Sequence, residues 1–292
     1  MHCFISRLSV HPWDAWWSRG ESFATHGARM SCCNIFKIDL VWPEQVATSV
    51  WFPPLVYVIF TGIVATIFVA LQILHLSDNI PVFGAFYFTF LTNWALVLET
   101  LTTVLLFIST IWAYTVLPNG NTGQKAPLFV RYSVAFWYMI QPISLIVVIL
   151  YWTLINQFWD PYPIMFSSWW AHLLNWVVLL TSLFASRIPW SFKNCIWGLL
   201  FLVAYLVWTL IHFFARIGTN EPCDTYPQEE CPIYDEFDWN LPGRTFGIVI
   251  ASLVAYFIVA GIYTGFFRCR DACDKNQMEE TKAESKDPEN GA

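Results

Sequence analysis

Along the chain, apolar residues gather into six long blocks, near residues 53–75, 83–112, 128–155, 164–186, 195–214 and 246–267. Each block is long enough to cross ~30 Å of hydrocarbon as a helix. The second and third exceed that minimum, so tilt, kinks or extension beyond the membrane are expected. Pro142 lies inside the third block, where it removes a backbone donor and predicts a kink. Trp51, Trp112, Trp152, Trp159, Trp169, Trp170 and Trp190 fall near block ends, as interfacial anchors do. The pattern predicts an all-α polytopic membrane protein with six transmembrane helices. Residues 1–48 form an N-terminal region, 49–268 a helical body with an acidic loop at 216–244, and 269–292 a polar tail expected to be disordered.

Composition removes the soluble alternative that 292 residues would permit. The chain is 57% hydrophobic and 12% charged, with a mean hydropathy of +0.49, whereas a soluble domain is nearer one quarter charged. The opening "MHCFISRLSV" lacks an apolar core of signal-peptide length, so the first span is expected to direct insertion. Charge gives orientation. Arg7, Arg19, Arg29 and Lys37 precede the first block, Lys125 and Arg131 flank the second loop, and Arg187 and Lys193 lie in the fourth. Arg268, Arg270, Lys275, Lys282 and Lys286 follow the last block, while the fifth loop holds only Arg216 and Arg244. This segregation predicts that both termini are cytoplasmic. Membrane lipids are the expected partners, with no nucleic acid among them.

Cysteine positions agree with that orientation. Cys223 and Cys231 are the two on the predicted outer side, within the acidic loop "EPCDTYPQEECPIYDEFDWNLP", and a disulfide is their simplest fate there. The loop offers no histidine or third cysteine for zinc and no EF-hand spacing for calcium. No metal or cofactor is expected. Tyr226, Tyr234, Phe237 and Trp239 suggest a structured cap that packs on helix ends or meets a protein partner. Cys269 and Cys273, directly after the last block, are candidates for lipidation, with free juxtamembrane thiols the alternative. Cys3, Cys32 and Cys33 carry no usable spacing. The "HPWDAWW" cluster with Trp13, Trp16 and Trp17 is placed to rest on a membrane surface.

Candidate chemistry begins where polar residues interrupt the blocks. In "FTFLTNWALVLET", Thr89, Thr92, Glu99 and the following Thr103 recur near one helical face, with Asn93 and Thr100 at its margin. Such a stripe is costly against lipid and should point into the bundle. The fourth block offers His172 and Asn175 on one face, the third Gln141, and the fifth Thr209 and His212. Counting from the block starts, Thr92 is about nine residues in and His172 about eight, which at ~1.5 Å per residue puts both roughly 12–14 Å deep. At matched depth the imidazole can take the threonine proton and make the oxygen a nucleophile. The alternative is that the pair only hydrogen-bonds helices together. Glu99, deeper and level with Gln141, is expected to be uncharged and shared with an amide, Gln141 being the leading partner.

The segments "FTFLTNWALVLETL", "WWAHLLNWVVLL" and "CPIYDEFDWNLPG" resemble the rolling stone family of multi-pass membrane proteins, over most of residues 50–268. That resemblance implies a plasma-membrane role in cell–cell contact or fusion, such as myoblast fusion. A more distant resemblance is to the androgen-induced membrane hydrolases, multi-span threonine enzymes that cleave fatty acid esters of hydroxy fatty acids. Thr92 in "FLTNW" matches their nucleophile and His172 in "WWAHLLNW" their histidine. This second resemblance implies a fatty-acyl substrate within the bundle.

Overall fold

The computed structural model describes residues 43–117, 125–155, 166–219, 223 and 226–284. Among them, six helices are long and apolar enough to cross a membrane: Pro54–Thr89, Leu91–Val116, Leu128–Thr153, Phe166–Ala185, Phe192–Phe214 and Pro242–Ala272. They are called the first to sixth spans below. The Trp13, Trp16 and Trp17 cluster, Cys3, Cys32, Cys33, Trp159 and the final residues 285–292 lie outside the described residues.

The helices are apolar on both faces, and what separates their faces is polarity rather than hydrophobicity. Ile59, Ile63 and Ile73 of the first span and Ile250 and Ile258 of the sixth are exposed, as lipid-facing side chains would be. The second span turns Thr92, Asn93, Glu99, Thr102, Thr103, Ser109 and Thr110 inward, all of them buried. Several of these hydroxyls hydrogen-bond their own helix: Thr102 donates to the Leu98 carbonyl at 2.7 Å and Thr110 to Leu106 at 2.7 Å. This local pairing lets a polar stripe sit in an apolar bundle without partners from other helices. The third span is the most enclosed, with Trp137, Ile140, Gln141, Ile143 and Ser144 all buried.

Several boundaries differ from the apolar pattern. The first helix does not stop at His75 but continues to Phe83. Ser77 and Asn79 return their side chains to the Leu74 and His75 carbonyls, so "SDN" does not break it. The break comes at Gly84, whose φ of 54° needs a residue without a Cβ. A 3-10 segment, Gly84–Thr89, then leads through Phe90 to a new helix at Leu91. Residues 43–48 belong to the body and not to the N-terminal region: Pro43–Ala47 is helical, and Val46 and Ala47 are fully buried. Trp170, counted as an interfacial anchor, is buried against Phe68 with ring centroids 5.2 Å apart.

The last helix runs to Glu284, past Arg270 where disorder was expected. Elongating an existing helix needs no new nucleus, and "DKNQMEETKAE" is rich in good helix formers. Arg270 itself is buried. Its guanidinium donates to the carbonyls of Ser186 at 2.8 Å and Ile188 at 3.1 Å, and lies 4.6 Å from the Phe267 ring centroid. The segment before the first span reaches the same place: Val50 N–H donates to the Ala185 carbonyl at 3.0 Å. One face of the bundle is thus tied together by the C-terminal end of the fourth span. Close helix contact elsewhere depends on Gly198, where a Cβ would run into the Tyr256 phenol of the sixth span.

Candidate functional site

At the opposite face, the loop between the fifth and sixth spans folds back over the bundle. Cys223 and Cys231 form the expected disulfide, with Cα atoms 5.8 Å apart. The fifth span ends as Arg216 and Gly218 turn to positive φ. His212 Nε2 sits 2.7 Å from the Gly218 carbonyl, and Trp239 Nε1 donates to Thr209 Oγ1 at 3.2 Å. Thr209 and His212 therefore anchor the loop. Asp238, buried, accepts from the Tyr226 hydroxyl at 2.9 Å, and the Thr245 hydroxyl donates to its carbonyl at 2.6 Å.

Beneath this cap is an apolar cavity of about 110 Å³. Its walls include Thr92 and Leu91 of the second span, Val147 and Tyr151 of the third, Val203 and Tyr205 of the fifth, and Ser252 and Leu253 of the sixth. Tyr234, Glu236 and Phe237 close it from the loop. The cavity is partly open, and Val203 on its wall is exposed. A dry cavity of comparable size in another protein holds a benzene molecule, so this one fits the end of an acyl chain but not a whole lipid.

Thr92 sits in the first turn of its helix, where backbone N–H groups have no intrahelical acceptor. The Tyr234 hydroxyl accepts the Leu91 N–H at 3.0 Å, beside Thr92 on the cavity wall. The Tyr205 hydroxyl donates to the Thr89 carbonyl at 2.9 Å. Burial pushes the Tyr234 phenol up to about 12, so it keeps its proton at physiological pH. Two tyrosines thus frame the threonine: Tyr234 packs on a helix end as the aromatic cap predicts, whereas "LVAYLV" carried no signal for Tyr205.

His172 lies in a π-helical turn, Trp170–Leu174, and its ring stacks flat on Tyr151 with centroids 3.3 Å apart. Its Nδ1 is buried without a hydrogen-bond partner. Tyr151 is also a wall of the cavity, so the histidine reaches that wall through an aromatic ring. Register places the pair differently from the depth count. Asn175 Nδ2 donates to Glu99 Oε2 at 2.9 Å, which fixes the second and fourth spans against each other. Thr92 lies seven residues before Glu99 and His172 three before Asn175, an axial offset of about 6 Å. The count from Phe83 assumed one continuous helix, and the break at Gly84–Phe90 moves Thr92 to the helix start.

The same bond corrects the partner of Glu99. Gln141 instead points its amide at the Leu179 carbonyl, 3.5 Å away. Asn93 also departs from the expected cluster: its Oδ1 is 3.1 Å from His75 Nε2 and its Nδ2 donates to the Tyr87 carbonyl at 2.7 Å. Gln72 Nε2 reaches the Tyr87 hydroxyl at 3.2 Å, so His75, Gln72, Tyr87 and Asn93 form a second polar group at this face. His75 marked only the end of an apolar block in the sequence.

Comparison with family models, curated proteins and solved structures finds no match. The site therefore has to be read from its own chemistry. Cys269 is an exposed free thiol at the other face, available for lipidation, and the Cys273 side chain lies outside the described residues, as do Glu221 and Asp224 of the acidic loop. Among the described residues no group of three or more His, Cys, Asp or Glu is arranged to hold a metal.

Proposed function

We propose that this protein handles lipid acyl chains at one membrane face and cleaves an ester there, with Thr92 as nucleophile and His172 as base. The observation that carries the proposal is the position of Thr92, a hydroxyl on the wall of a partly open apolar cavity among the spans. Lipid tails are as apolar as the cavity walls, so hydrophobicity gives a chain little reason to leave the bilayer. Selection then falls to the polar handle, Thr92 with the Tyr234 hydroxyl beside it. In the reaction, Thr92 Oγ1 attacks the ester carbonyl and His172 takes its proton. The alcohol leaves with that proton, and water cleaves the acyl-threonine to release the acid.

The test is hydrolysis of branched fatty acid esters by the purified protein. Turnover is expected, with loss of at least about 100-fold in Thr92→Ala and His172→Ala, as removal of a nucleophile or base predicts. Folded wild-type protein without turnover on any such ester, or undiminished turnover in Thr92→Ala, contradicts the assignment.

A second reading, cell–cell contact or fusion at the plasma membrane, draws on the rolling stone resemblance. The disulfide-closed cap favours it, since Glu229, Asp235 and Asn240 are exposed on a fixed surface suited to a protein partner. With cytoplasmic termini this cap faces the neighbouring cell. Cells expressing the protein should aggregate or fuse more than cells expressing a Cys223→Ser variant at equal surface level. Equal behaviour counts against it.

A further inference from the structure

Four buried oxygens in the middle of the bundle have no hydrogen-bond partner: Glu99 Oε1, Gln141 Oε1, Ser144 Oγ and Asn175 Oδ1. Each of these residues is at most 1% exposed. They come from three spans and lie close together. Asn175 Nδ2 is already engaged by Glu99 Oε2, and the Ser144 hydroxyl lies beside the same carboxyl. Gln141, one turn before Ser144, directs its amide to Leu179, one turn after Asn175. The amide donors thus have acceptors; Asn175 Oδ1 and Ser144 Oγ remain beside the carboxyl group, with Gln141 Oε1 roughly one turn along the third span. The groups that act on that carboxyl, Asn175 and Ser144, carry no positive charge.

The backbone is irregular at the same level. The Asn175 N–H bonds to the Trp170 carbonyl five residues back, closing the π-helical turn that sets the register of Asn175. Across from it, Pro142 stands between Gln141 and Ser144 and has no N–H for the Tyr138 carbonyl. Irregular backbone inside a membrane is tolerated where it is enclosed by protein, and in other membrane proteins it accompanies ion sites.

We propose that Glu99, Ser144, Asn175 and Gln141 bind one sodium ion between the second, third and fourth spans. Oxygen-only ligands suit a hard cation, and a single carboxylate balances a single charge. A divalent ion would leave uncompensated charge in the apolar core, which is heavily penalised. A proton on Glu99 would neutralise the carboxylate but supply only one donor, enough for one of the two amide oxygens and not for both. This site is separate from the cavity below the cap and does not depend on its chemistry.

The experiment uses the full chain in nanodiscs, freed of sodium, with choline chloride holding ionic strength constant. Titration with sodium chloride is expected to raise the unfolding midpoint along a saturable curve, and radioactive sodium to bind at one ion per chain. Potassium should do neither at equal concentration. Both effects should vanish in Glu99→Gln. If that variant does not fold, Ser144→Ala keeps the test open: its half-saturation should weaken roughly tenfold, the scale of one lost polar contact. Stabilisation by choline or potassium equal to that by sodium overturns the proposal. So does stabilisation by acid alone, or a half-saturation unchanged in Ser144→Ala.

Discussion

Asn175 shows how much one side chain decides in this bundle. Its amide is the hydrogen-bond donor on Glu99 Oε2, deep between the second and fourth spans. Asn175→Ala would leave that oxygen without a donor in an apolar interior, which costs about 1–3 kcal/mol. The unfolding midpoint in detergent should fall accordingly, while Glu99→Gln, which keeps shape and an acceptor oxygen, should lower it less. Equal losses in the two variants would mean that the amide does not hold the carboxyl. Gly198 is a second such position, because its missing Cβ admits the Tyr256 ring. Gly198→Leu should destabilise by about 1–3 kcal/mol through overpacking, measured the same way, and a neutral result would contradict the close approach.

Elements are held here as much by loops as by helix faces. Arg270 caps carbonyls of Ser186 and Ile188 at the end of the fourth span, and its charge suits a helix C-terminus. Arg270→Met keeps the apolar stem but leaves buried carbonyls unpaired. It should cost roughly 2–4 kcal/mol and raise hydrogen exchange at 185–190, whereas unchanged exchange would show the cap to be incidental. At the other face, Cys223→Ser should loosen the cap by about 2 kcal/mol without unfolding the spans. Exchange should rise across 215–241 and stay unchanged in the second span.

Six spans were legible because twenty or so apolar residues in a row have few other fates, and the inward stripe of the second span followed from helical spacing. The disulfide was legible because only two cysteines share its loop. The depth of Thr92 was not, since a 3-10 segment between two helices is as apolar as either and periodicity does not mark it. Nor was the choice of Asn175 over Gln141, because both face inward and only the registers of separate helices distinguish them. Tyr151 and Tyr205 stayed hidden for the same reason: they meet the cap residue Tyr234 at the cavity from distant parts of the chain.

For the whole molecule, the face tied by Arg270 and the face covered by the disulfide loop are different environments. In the sequence, Lys and Arg concentrate before the first span, in the second and fourth loops and after the last span, from which cytoplasmic termini are expected. Tags at both ends should become labelled only after the membrane is permeabilised, and labelling of either end on intact cells would reverse the orientation. At the other face, the cavity is proposed to admit an acyl chain past Thr92. The most direct measurement is photo-crosslinking with a fatty acid ester carrying a diazirine near the end of its chain. Adducts are expected on Val203, Leu206 and Leu253, and they should disappear in Leu206→Trp, which fills the space. Adducts confined to outward-facing residues such as Ile250 and Ile258, with the cavity wall unlabelled, would contradict it.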